Sequence, residues 1–232
     1  MAKWMMGVKI VDEYTQNPAQ INLLNIIKKI SYDSGMKYIP EVGVYESNEI
    51  NAFATGPSQK KSLVAVSSGL LHKMNNDELE GVLGHELSHI MNGDMITMTL
   101  LQGIVNAFVM FLARVLAFLL TSSKEKSRSY TSMRMLTFLF EMVFMVLGSI
   151  VLFAYSRKRE FRADISSAKI VGKDKMIKAL LALKTTQDIV DEKKLVPAYQ
   201  AFKISSNKKG KIFNLFLSHP PLDERIKKLQ DL

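Results

Sequence analysis

Two apolar runs constrain this chain more than any other feature. They are LLQGIVNAFVMFLARVLAFLL at 100–120 and MLTFLFEMVFMVLGSIVLFAY at 135–155, joined by the polar TSSKEKSRSYTSMR. At about 21 residues each, either can cross roughly 30 Å of hydrocarbon as a helix. Both are apolar on every face, whereas a helix lining one side of a core is apolar on a stripe. They read as a transmembrane hairpin; the alternative is an interior helical bundle in a soluble protein. A hairpin returns the chain to the side it left, so the residues after Tyr155 must lie near those ending at Thr97. Arg114 and Glu141 sit at equal depth from the loop. They are a candidate intramembrane ion pair, because a lone charge there is costly. Otherwise Arg114 snorkels to the headgroups.

Just before the hairpin stands LEGVLGHELSHIMNGD at 79–94. Its opening NNDELE offers an Asn cap at Asn75 or Asn76 and early acids, which predicts a helix. On a helix His85 and His89 project from one face, four residues apart, where both imidazoles can reach one ion. Glu86 points beside that ion, where a carboxylate can take a proton from water that the metal activates. Asp94, five residues past His89, falls about 140° around a continued helix and points away. No cysteine is present, so any metal must be held by His and carboxylates.

The hairpin topology directs the search for a third ligand to AYSRKREFRADISSAKIVG at 154–172, of helical composition and closed by Gly172. Glu160 and Asp164 are i, i+4 and share a face. One carboxylate can bind the metal while the other accepts an N–H from a ligating imidazole. His219 is the other candidate ligand.

Ahead of the motif, NPAQINLLNIIKKISYDSG predicts a helix capped by Asn17, with Pro18 first and Gly35 past its end. PEVGVYES, NAFATG and SLVAVS read as short strands. The backbone of NAFATG, an edge strand ending at Gly56-Pro57, can pair with an extended peptide. In that role Asn51 would bond substrate main chain, and Ala52, Phe53 and Ala54 would contribute backbone only. SHPPLDERIKKLQ predicts a loop entering a terminal helix, and His72 is a surface or locally satisfied residue. The net charge of +9 is scattered or flanks apolar segments, without a nucleic-acid-binding signature. Charge near a membrane is the better reading.

With these residues in hand, the sequence resembles the HtpX heat-shock proteases, membrane-bound zinc metallopeptidases related to the Ste24 and Oma1 proteases. NAFATG, SLVAVSSGLL, GHELSHIMNGDM, REFRAD and SHPPLDERI occur in the family's order, with the hairpin between the third and fourth. The resemblance implies one zinc ion per subunit held by His85, His89 and Glu160, Glu86 as catalytic base, and Asp164 as the partner of a ligating histidine. It also makes His219 and Arg225 candidates for stabilising the oxyanion or anchoring substrate carbonyls. The expected fold is α+β: a mainly helical zincin-like (gluzincin) metalloprotease domain with a small β-sheet and an inserted transmembrane hairpin. The expected segments are 1–97, holding the first helix, sheet and zinc-binding helix; 98–156, the hairpin; and 157–232, with the third ligand and the C-terminal helices. Family members begin with a further pair of spans, and this sequence starts about where the second would end. The implied setting is a bacterial inner membrane, multi-pass, with the active site facing the cytoplasm. Implied partners are polypeptide substrates, membrane proteins among them, the lipid bilayer and other membrane proteases, with no nucleic acid. The competing class is a non-catalytic scaffold with structural zinc, which would require four protein ligands rather than three and an open position.

Overall fold

The structure is a computed structural model describing residues 7–122, 130–193 and 220–232. The described elements run β1 (Lys9–Ile10), α1 (Pro18–Asp33), β2 (Glu41–Tyr45), β3 (Ala52–Thr55), β4 (Leu63–Ser67), α2 (Ser68–Lys73), α3 (Asn76–Met91), α4 (Asp94–Ser122), α5 (Tyr130–Val171), α6 (Lys173–Lys193) and α7 (Leu222–Gln230). This is the mainly helical α+β class that the sequence predicts.

Among the described residues, one compact unit comprises 7–96, 158–193 and 220–232, and the second comprises 97–122 and 130–157. In the first, the four-stranded sheet has the order β1-β2-β4-β3. β2 and β4 are parallel, while β1 and β3 pair antiparallel with β2 and β4 respectively. β3 is therefore an edge strand. β4 is buried on both faces: Val64 and Val66 join the main core, and Leu63 and Ala65 pack with Tyr45 and Phe53 opposite. That division follows from the two-residue alternation of a strand.

The helices start and stop where side chains can satisfy their free backbone groups. Asn17 accepts from Ala19 N at 3.0 Å, Pro18 begins α1, and Gly35 follows it at φ +69°. Asn75 and Glu78 form a reciprocal capping box at the start of α3. Leu23, Ile27 and Ile30 of α1 meet Leu79, Leu83, Leu87 and Ile90 of α3 in the main core.

Small residues set how closely α3 meets its neighbours. A Cβ on Gly81 would lie 2.6 Å from Lys175 O of α6, and one on Gly84 would lie 2.5 Å from Ser167 Oγ of α5. Ser167 Oγ donates to Gly81 O at 3.1 Å, tying α5 to α3 at that close approach. This contact lays the 158–171 end of α5 beside the motif helix.

α4 and α5, whose 97–122 and 130–157 portions make the second unit, hold stretches at 94–121 and 132–171 long and apolar enough to cross a membrane. Only 11% and 6% of their most apolar windows are buried, which overturns the interior-bundle alternative for the described chain. The helices pack closely at Gly148, where an added Cβ would lie 2.7 Å from Val105 Cγ1. Arg114 is exposed and Glu141 half-buried, and among the described residues no ion pair joins them.

Candidate metal centre

His85 and His89 leave one face of α3, and Glu160 enters from α5. One ligand atom from each lies within 4.8 Å of the others, and all three residues are buried. The Nε2 atoms of the imidazoles are 3.1 Å apart. Glu160 Oε2 is 3.4 Å from His85 Nε2, and Oε1 is 3.5 Å from His89 Nε2. Donors bound tetrahedrally to one ion at roughly 2.0–2.1 Å would lie about 3.3 Å apart. The observed spacings match that geometry, and the donor set of two imidazoles and one carboxylate suits a divalent ion of zinc's type.

What aims the Nε2 atoms is the bond made by the other nitrogen of each ring. His85 Nδ1 lies 2.9 Å from Asp164 Oδ1, and His89 Nδ1 lies 2.7 Å from Asp94 Oδ2. A carboxylate on Nδ1 keeps the proton there and leaves the Nε2 lone pair for the cluster. Burial opposes a charge on His85, but the bonded Asp164 and Glu160 carboxylates outweigh it and raise the ring to about 9.

Arg225 of α7 is buried, with Nε 2.7 Å from Asp164 Oδ2 and Nη2 2.6 Å from Oδ1. Burial opposes charge on Asp164, yet the bonds from Arg225 and His85 hold its carboxyl below the ordinary range. Nη2 also lies 3.3 Å from His85 Nδ1. That is a contact between two donors, because the shorter approach of Asp164 takes the Nδ1–H. Arg159 Nη2 donates to Glu160 Oε1 at 3.2 Å.

Glu86 is half-buried beside the cluster and accepts the Ala54 N–H at 3.0 Å through Oε2. Ser67 N donates to Asn51 O at 2.9 Å, so this opposed pair is a hydrogen-bonded one. Alternation along the antiparallel ladder then turns Phe53 and Thr55 to β4, and the backbone groups of Ala52 and Ala54 to the open edge. Asn51 is exposed at the start of this strand. The structure thus brings His85, Glu86, His89, Glu160, Asp164, Arg225 and β3 to one place. His219 lies outside the described residues. His72 lies apart, with Nδ1 2.6 Å from Ser68 O in its own helix.

One sequence expectation is corrected. Asp94 does not point away from the histidines, because α3 does not continue to it. The helix ends at Met91, Gly93 adopts φ +66°, and α4 begins at Asp94. The left-handed glycine turns the chain back on itself and returns the carboxylate to His89. The Asn92-Gly93 pair was the available signal, a common way to end a helix.

With this geometry in hand, comparison with known proteins is specific. The sequence pattern of Peptidase family M48 matches residues 19–232. A protein named Protease HtpX homolog from Bacillus velezensis is 47% identical over 232 residues, covering 99% of this chain and 77% of its own. Protease HtpX of Tolumonas auensis is 43% identical over 245 residues, covering 100% of this chain and 80% of its own. The crystal structure of Ste24p from S. mikatae superposes with a TM-score of 0.63 at 16% identity, covering 96% of this chain. The chain spans about half, 51%, of that larger protein, and the likeness is one of fold. On the sequence matches, the chain belongs to peptidase family M48.

Proposed function

We propose that this metalloprotease is a zinc-dependent endopeptidase whose metal is held by His85, His89 and Glu160 and whose general base is Glu86. The observation that carries the reading is the convergence of both Nε2 atoms and the Glu160 carboxylate, with Glu86 one residue from a ligand and bonded to an edge strand. Zinc bound there would polarise the scissile carbonyl and lower the pKa of water toward about 7.

The protein's own groups do the rest. Glu86 Oε2 is engaged by Ala54 N–H, which leaves Oε1 to receive a proton from the attacking water and pass it to the leaving amine nitrogen. An extended substrate would align on the outward N–H and C=O of Ala52 and the C=O of Ala54, whose N–H Glu86 takes, with Phe53 bonded inward to β4 and Asn51 reaching substrate main chain at the strand's start. Asp164 keeps His85 in its ligating tautomer, and Arg225 keeps Asp164 in place. With its fork engaged by Asp164, Arg225 acts through that carboxylate, and the donor for the oxyanion is assigned to His219.

The two apolar helices support a multi-pass protein, and likeness to the HtpX proteases supports a bacterial inner membrane with the site facing the cytoplasm. Membrane or misfolded proteins are then the substrates, in quality control and stress response, with other membrane proteases acting alongside. Cleavage of casein and of a membrane protein by wild type and Glu86→Gln, each with measured zinc stoichiometry, tests the reading. One zinc in both and cleavage in wild type alone is expected. Proteolysis by the Gln variant, or a wild type without zinc, would overturn it.

A further inference from the structure

The two metal-cluster histidines are backed by carboxylates of unequal character. Asp164, behind His85, is neutralised by the two-pronged grip of Arg225. Asp94, behind His89, is 1% exposed, and its Oδ1 has no hydrogen-bond partner. Among the described residues, its only ion-pair contact is His89 Nδ1 at 2.7 Å. A buried carboxylate without a cation costs several kcal/mol. The place of Asp94 as the first residue of α4 offsets part of that cost through the helix dipole, and His89 is its one side-chain partner among the described residues.

We propose that Asp94 is a positioning residue for the metal centre: it accepts the Nδ1–H of His89, holds Nε2 on the ion, and lends that imidazole a negative charge no arginine cancels. This rests on the zinc reading above. The local backbone is built for the role. Gly93 at φ +66° ends α3 and reverses the chain, so the first residue of α4 reaches a ring five positions earlier. The charge balance agrees. With Glu160 as the one anionic ligand, a divalent ion with two neutral imidazoles keeps an excess positive charge; Asp94 offsets part of it, as Glu86 does from beside the cluster, without occupying a coordination position. Each histidine thus has a separate brace from a separate helix, α5 for His85 and α4 for His89. Only the second transmits its full charge.

The test uses the full chain in detergent, metal-free and then loaded with zinc or cobalt, as wild type, Asp94→Asn and Asp94→Ala. Affinity is read by competition with a chromophoric chelator, and the ligand field by the visible spectrum of the cobalt form. Asp94→Ala should bind zinc about 10- to 100-fold more weakly. Asp94→Asn, which keeps an acceptor for the Nδ1–H but not the charge, should fall between wild type and Ala and shift the cobalt bands. The metal-free melting temperature should not fall in Asp94→Asn, since the amide removes a buried charge without changing the shape. Wild-type affinity and spectrum in Asp94→Asn would overturn the proposal. So would a metal-free protein that melts early, which would mark Asp94 as merely structural. A wild type that binds no metal would instead overturn the zinc reading beneath it.

Discussion

The Arg225 guanidinium holds both oxygens of Asp164, from Nε at 2.7 Å and Nη2 at 2.6 Å, with both residues buried. The partners are 61 residues apart in sequence, so the terminal helix α7 completes the support of a metal-cluster histidine on α3. Removing Arg225 leaves the buried Asp164 carboxylate with His85 as its one remaining partner among the described residues, which costs up to about 3–5 kcal/mol, the loss for a buried pair broken outright. Arg225→Met should lower stability by that order in a denaturant titration, and reduce metal content. Arg225→Lys keeps the charge but not the fork, and should recover only part. Arg225→Met combined with Asp164→Asn should be more stable than Arg225→Met alone, because no unpaired charge remains. A strictly additive loss would show that the pair is not energetically coupled.

Helix packing makes a second prediction whose sign runs against propensity. In an exposed helix, replacing Gly with Ala gains about 1 kcal/mol. At Gly81 the added Cβ would meet Lys175 O at 2.6 Å and Ala179 Cβ at 2.7 Å, the first of them backbone. Those atoms cannot rotate aside, so α3 and α6 must separate. Gly81→Ala should therefore destabilise by about 1–3 kcal/mol, the usual cost of overpacking. An unchanged or raised melting temperature would show that the interface yields without loss.

Local chemistry was legible where it is written in neighbouring residues. Asn17-Pro18, Gly35 and Asn75 marked helix ends because caps act over a few positions, and β2, β3 and β4 were bounded by turn residues, whereas the two-residue β1 was too short to read. The two apolar helices were legible because their runs are long and continuously apolar. Glu160 came within reach through topology, since two spans read as a hairpin would return the chain beside the motif helix. What stayed hidden depends on single torsions and on approach in space. One left-handed residue, Gly93, moved Asp94 from the far side of an extrapolated helix onto His89. Gly81 and Gly84 gave no hint in the sequence that α5 and α6 press against them. The inward turn of Arg225 was equally silent, because its partner lies on another helix.

Metal uptake should depend on pH with a definite sign. Burial disfavours the His85 cation, but Asp164 and Glu160 overcome it and hold the metal-free ring protonated up to about 9. An incoming ion must displace that proton. Apparent affinity should therefore rise as pH increases toward 9, about tenfold per unit for one released proton. Binding measured in buffers of different ionisation enthalpy would report the release directly. A pH-independent affinity between 6 and 8 would mean that the ion does not compete with a proton on this ring.

The bond from Ala54 N to Glu86 Oε2 can be removed without touching a side chain that meets the metal cluster. Ala54→Pro deletes the N–H, and because that group faces the open edge of β3, the ladder to β4 keeps its bonds. Proline is tolerated on edge strands, though its fixed φ asks for a small local adjustment. Hydrogen bonds to charged groups contribute about 1.5–3 kcal/mol, so freeing the Glu86 carboxylate should lower kcat by about 10- to 100-fold. Metal content should stay at the wild-type level, since His85, His89 and Glu160 keep all their contacts. A melting temperature close to wild type would confirm that the strand is intact. If kcat survives in a folded, fully metallated Ala54→Pro protein, the edge strand does not orient the base, and Glu86 must be held by something else.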